Sequence, residues 1–151
     1  MNLEFKQKVY NAYLNTVNEK IKLLHQNLDD LSISIAEETK NSAGDKYETA
    51  RALLQTEQSS VAKQLNEAND QKTLLETIDI NLVSNKIIKG SLIQTNRGYF
   101  FMSVGLGKAL VEDQTIIALS QAAPLGQKLH GLTIGDTTEV NGIKYSIQKL
   151  Y

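Results

Sequence analysis

The chain contains no cysteine, which excludes a disulfide framework, a thiolate zinc site and a cysteine nucleophile. Any chemistry has to come from oxygen and nitrogen groups. Its one proline is Pro124, so nothing of that kind breaks a helix in residues 1–80. Nowhere do about 18 apolar residues run together, as a membrane-spanning helix requires. The N-terminal stretch, with Glu4, Lys6 and Lys8 among its apolar residues, lacks the apolar core of a signal peptide. These absences predict a soluble, cytoplasmic protein with no membrane partner. The formal net charge is −1, which removes the general attraction to phosphate backbones that nucleic-acid binders draw from many Lys and Arg contacts. His25 and His130 have no His or Cys companions at ligand spacing, which argues against a histidine metal site.

What is present divides the chain in two. Residues 1–80 hold nine cationic and thirteen anionic side chains, and residues 81–151 hold seven and four. An acidic half and a basic half suggest surfaces with different partners. From Tyr10 the apolar positions run Tyr10, Leu14, Val17, Ile21, Leu24, Leu28, Leu31, Ile35, alternating steps of four and three, the heptad seam of a coiled-coil helix. The flanks are Asn, Gln, Lys, Asp and Glu, so the seam is narrow and one partner helix covers it. That partner is predicted after Asn41-Ser42-Ala43-Gly44-Asp45, a cluster of small and turn-forming residues. Beyond it Tyr47, Leu54, Val61, Ala68 and Leu75 recur every seven residues, with Ala50, Leu65 and Ile78 at intermediate positions. Heptads specify a partner helix and not its origin; the expected arrangement is an antiparallel hairpin over residues 1–80 in a monomer.

From Ile87 the composition changes to glycines and short β-branched or aromatic runs, so a second domain is expected over residues 85–151. Candidate strands are Ser91–Thr95, Tyr99–Val104, Thr115–Ala118, Thr137–Val140 and Lys144–Lys149. Asn141-Gly142 predicts a tight hairpin, and Pro124 to Leu132 reads as a short helix ending at Gly131. Gly105-Leu106-Gly107-Lys108 lacks the full phosphate-loop pattern and reads as a strand-to-strand turn. The predicted fold class is α+β: a long coiled-coil hairpin, then a small antiparallel sheet carrying one helix.

Two stretches together resemble a known family. Gly44-Asp45-Lys46-Tyr47-Glu48-Thr49-Ala50-Arg51 is similar to the hairpin tip of the bacterial Gre-family transcript cleavage factors, where an acidic turn precedes Tyr-x-x-Ala-Arg. Ile117-Ala118-Leu119-Ser120 followed by Ala123-Pro124-Leu125-Gly126-Gln127-Lys128-Leu129-His130-Gly131-Leu132-Thr133-Ile134-Gly135-Asp136 looks like that family's C-terminal signature. The resemblance implies an FKBP-like C-terminal domain that docks on RNA polymerase and a coiled coil that enters its secondary channel. It further implies a pair of tip acids, Asp45 and Glu48, completing a second Mg²⁺ site shared with the polymerase, so that the polymerase's own machinery cuts backtracked RNA. On this reading the chain is not itself an enzyme, holds no cofactor stably, and meets nascent RNA only inside the polymerase complex. Mg²⁺ takes oxygen ligands and keeps several waters, so carboxylates from a partner can complete such a site.

Asp45 and Glu48 keep the family's Asp-x-x-Glu spacing, with Glu48 after Tyr47 rather than before it. An ungapped alignment on Tyr47-x-x-Ala50-Arg51 instead puts Lys40 and Ala43 at the acidic positions, with Glu37 and Glu38, at the end of the first helix, as reserves. Asp45 serves equally as a helix N-cap and Glu48 as its capping-box partner. A regulator of the same fold that does not cut RNA, or a coiled-coil interaction module, is the alternative. Tyr99, Phe100, Phe101 and Tyr145 could line an isomerase groove, but aromatic residues in strands are more often core.

Overall fold

The computed structural model describes residues 2–40 and 45–151, the side chains of residues 45–47 excepted. Of the turn expected at Asn41–Asp45, residues 41–44 and the side chain of Asp45 lie outside the described residues. Two long helices come first, α1 (Leu3–Lys40) and α2 (Asp45–Glu76). Then follow β1 (Leu92–Thr95), β2 (Gly98–Ser103), β3 (Gly107–Val111), β4 (Gln114–Ser120), α3 (Pro124–Leu129), β5 (Thr137–Val140) and β6 (Ile143–Leu150). By packing, residues Thr16–Lys72 form one compact unit, and Met1–Asn15 with Thr73–Tyr151 form the other.

Within Thr16–Lys72, α1 and α2 run antiparallel around one seam. Leu24 and Leu31 of α1 and Val61, Leu65 and Ala68 of α2 form its buried core, with Ile21, Leu28 and Leu54 packed against it. These are the heptad positions, and each fully buried aliphatic side chain contributes about 1.5–3 kcal/mol. Across the seam the Gln58 amide donates to Ser32 Oγ at 3.4 Å. Leu23, Ile33 and Leu53 lie off the seam and are exposed.

In the other unit, α1 starts at a cap: Asn2 Oδ1 accepts from the Phe5 N–H at 3.1 Å, satisfying one of the orphan donors of the first turn. Its first turns bury Phe5, Val9 and Tyr13, a stripe of every fourth residue. The heptad positions Tyr10 and Leu14 beside them are half-buried. The helix here meets a sheet, which demands a broader apolar face than a single partner helix does.

The sheet has six strands in the order β3-β4-β2-β1-β6-β5. It is antiparallel except for one pair: β2 and β4 run parallel, with Phe101 opposite Ala118 and Ser103 opposite Ser120. The expected antiparallel sheet with one short helix is found, and β2–β4 is its one parallel pair. Gly107-Lys108 opens a strand, β3, rather than completing a turn, and the extra strand restores the direction of β2 to β4. Glu112 and Asp113, at φ 49° and 65°, make the β3–β4 turn with both central residues left-handed, as the right-handed strand twist favours. Asn141 and Gly142 do the same for β5–β6, at φ 52° and 79°.

Both faces of this sheet are covered. On one, Ile93, Phe100, Met102, Leu119 and Ile147 form a core with Ile87 and with Leu129 of α3. On the other, the Tyr13 ring stacks on Phe101 with centroids 6.1 Å apart, and Phe5 meets Tyr99 edge-on. The Tyr13 hydroxyl enters between β3 and β4: it lies 2.8 Å from the Gly107 carbonyl and 2.9 Å from that of Ile116, as donor, and accepts from the Ala118 N–H at 3.1 Å. Burial pushes its pKa up to about 12. Lys8 pairs with Glu112 at the β3–β4 turn. Lys6 is only 1% exposed; burial drives its pKa below the usual lysine value, opposed by the nearby Asp79 carboxylate.

Candidate functional site

The hairpin tip and the end of β4 are the two places where sequence motifs gather. At the tip, α2 begins at Asp45, and Glu48 stands exposed in its first turn. Glu37 is exposed and Glu38 half-buried in the last turns of α1. Arg51, one turn beyond Tyr47, is half-buried. Among the described residues no group of three or more His, Asp or Glu side chains is placed to hold a metal ion. The side-chain geometry of Asp45 relative to Glu48 falls outside the described residues. Glu48 is solvated at a helix N-terminus, where a negative charge is favoured.

The second motif, Ser120 to Asp136, is held by a dense set of short-range bonds. Ser120 Oγ accepts from the Ala122 N–H at 3.1 Å and the Ser120 carbonyl accepts from the Ala123 N–H at 3.1 Å. Pro124 then opens α3, where its missing N–H costs nothing because first-turn donors have no helical partner. Gly126 is required by proximity: a Cβ there would come within 2.0 Å of the Ser120 carbonyl oxygen. The side-chain amide of Gln127 donates to the Ala122 carbonyl at 3.0 Å. Past Leu129 the chain ends its helix, earlier than the expected Leu132, because His130 leaves the helical region and Gly131 turns left-handed at φ 85°.

That turn is latched to the segment before β1. The Gly131 N–H donates to the Ile87 carbonyl and the Ile87 N–H to the Leu132 carbonyl, both at 2.8 Å. Thr133 Oγ1 donates to the Asn85 carbonyl at 2.6 Å, and Asp136 Oδ2 accepts from the Thr133 N–H at 2.9 Å. Gly131, Gly135 and Asp136, which the motif singled out, thus shape the path into β5. Their immediate neighbours His130, Thr133 and Ile134 face solvent.

Sequence reasoning passed over a cavity beside this motif. Ser103 and Ser120 close the parallel pair β2–β4 as register partners, and together with Leu74, Lys89, Gln121, Ala122 and Gln127 they line an open cavity. Ser103 is 7% exposed, and among the described residues its Oγ has no hydrogen-bond partner. A buried hydroxyl left unpaired costs about 1–3 kcal/mol. Lys89 Nζ donates to Thr77 Oγ1 at 3.0 Å, and Thr77 Oγ1 in turn donates to the Leu74 carbonyl at 2.6 Å. The only signal in the sequence was a serine closing an otherwise apolar strand.

No protein-family model and no curated protein matches the chain. Among solved structures, that of the transcription factor Gfh1 is similar: it is 14% identical, the match covers 93% of this chain and 94% of that one, and the TM-score is 0.38. Among the described residues no helix is long and apolar enough to cross a membrane.

Proposed function

We propose that the chain is a Gre-like transcription factor. Residues 85–151 dock on RNA polymerase and the 1–80 hairpin enters its secondary channel. The observation that carries this reading is one combination in one chain: two helices of 38 and 32 residues joined at an Asp45-Lys46-Tyr47-Glu48 start, followed by a sheet domain that contains the whole Ser120–Asp136 motif. Asp45 and Glu48 would offer carboxylate oxygens to a Mg²⁺ shared with the polymerase, and an ion held there would supply activation of the attacking water and stabilisation of the leaving oxygen in the polymerase's cleavage of backtracked RNA. The chain supplies reach and charge; bond breaking belongs to the polymerase. The C-terminal domain is FKBP-like on this reading and acts in docking rather than in prolyl isomerisation.

The test is RNA cleavage in a backtracked elongation complex with Mg²⁺, comparing the wild type with the double variant Asp45→Ala/Glu48→Ala, alongside a polymerase-binding assay. Accelerated cleavage that the double variant loses while still binding establishes the tip assignment. The placement of Glu48 after Tyr47, which allows Lys40 and Ala43 to occupy the acidic positions, favours a second reading: a regulator that occupies the channel and does not cut. That protein binds polymerase and gives no metal-dependent cleavage.

A further inference from the structure

The cavity at the carboxyl ends of β2 and β4 has the chemistry of a binding site that the transcription reading does not use. The parallel strands end together there, with Ser103 opposite Ser120. Here β2 continues to β3 and β4 continues to α3.

The polar groups that line it are unevenly spent. Ser103 Oγ is buried and, among the described residues, unpartnered, and native structures leave few such groups without a reason. Lys89 is held by Thr77 and, among the described residues, forms no ion pair. Among the described residues no carboxylate lines the cavity; its other polar walls are Ser120, Gln121 and Gln127, and its apolar ones are Leu74 and Ala122. One ammonium offsets one negative charge, the hydroxyl and amides donate to oxygens, and the apolar wall suits a short aliphatic body. Charge-assisted hydrogen bonds of this kind are the strong ones.

We propose that this cavity binds a small monocarboxylate, whose oxygens take hydrogen bonds from Lys89 Nζ and Ser103 Oγ while its alkyl end lies against Leu74.

The test is a titration of the full chain, labelled with nitrogen-15, with sodium propionate against sodium chloride at equal ionic strength, followed by amide NMR. The expected result is saturable shifts confined to the amides of Lys89, Ser103, Ser120, Gln121 and Gln127. Inorganic phosphate should bind more weakly, because one ammonium leaves its second charge uncompensated. Lys89→Gln and Ser103→Ala should each weaken propionate about tenfold, as loss of a hydrogen bond to a charged group does. Lys89 is exposed and Ser103→Ala removes an unpaired hydroxyl, so both variants should keep the dispersed amide spectrum of the folded protein. Shifts equal to those of chloride, or an affinity that both variants leave unchanged, would overturn the assignment.

Discussion

The unit Thr16–Lys72 and the unit that contains the sheet are stabilised in different ways. The first has one narrow seam, and among the described residues its backbone bonds close within their own helices. The second buries both faces of a sheet and joins residues distant in sequence: Tyr13 bonds at Gly107, Ile116 and Ala118, and Ile87 pairs with Gly131 and Leu132. A local defect should therefore stay local in the seam and spread in the sheet.

The largest expected effect is that of Gly126→Ala. The new Cβ meets the Ser120 carbonyl, an atom that cannot step aside without moving the end of β4, so the sheet unit should lose more than about 3 kcal/mol. Hydrogen exchange would show protection lost across the strands and retained in residues 16–72, because the seam's core draws no residue from the sheet. Collapse of both sets together would break the comparison.

Leu65→Ala is the converse experiment. Leu65 is 8% exposed, and the cavity left should cost about 2–3 kcal/mol. Urea denaturation monitored in both regions would place the loss in the seam alone.

Tyr13→Phe keeps the stacking on Phe101 and strips the hydroxyl from three backbone groups, at a cost of about 1–2 kcal/mol. The pH dependence sharpens the assignment. The folded-state pKa of about 12 lies above the ordinary tyrosine value of 10.0, so the neutral form is favoured in the fold. The stabilisation is complete below pH 10.0 and is lost as pH rises through about 12. Stability of the phenylalanine variant, measured across that window, should fall less steeply than that of the wild type.

Lys6→Met should raise stability by about 1 kcal/mol, because it removes the desolvation of a buried ammonium and retains the packing of the stem. The lowered pKa means that the unfolded chain binds the proton more tightly. Lys6 therefore makes the wild type gain stability as pH rises toward 10.5, and a thermal melt series should show that gain reduced in the methionine variant. The smallest effect is that of Glu48→Ala, an exposed surface change that should shift stability by no more than about 0.5 kcal/mol. A larger loss in a melt would make Glu48 a structural cap.

Legibility followed the same division. Leu24, Leu31, Val61, Leu65 and Ala68 are all in the heptad pattern, because a helix seam is set by spacing along one chain. Asn141-Gly142 and Pro124 were readable for a similar reason: turn chemistry and a first-turn proline are local properties. Strand β3 was not, since Gly107, Lys108 and Leu110 are exposed and offer no alternation to detect. Without it the parallel pairing of β2 with β4 could not be inferred. The stripe Phe5, Val9 and Tyr13 lies beside the heptad seam, and only the presence of the sheet distinguishes its burial from that of Tyr10 and Leu14. Of the candidate sites, the tip acids were suggested by motif, whereas Lys89 and Ser103 had none; they line one cavity because the segment before β1 bonds to the end of β2, the Gly90 N–H donating to the Met102 carbonyl and the Met102 N–H to that of Ser91.

The sequence by itself determined the two long helices, their seam, the glycine-bearing β5–β6 turn and the proline-started helix, all of which depend on contacts or conformations a few residues apart. Tertiary structure alone decided that β4 returns parallel to β2, that the first turns of α1 cover the sheet, and that an unpaired serine and a lysine share one cavity. Those outcomes depend on which distant surfaces bury each other, and the energy of such burial is not carried by any single stretch of chain.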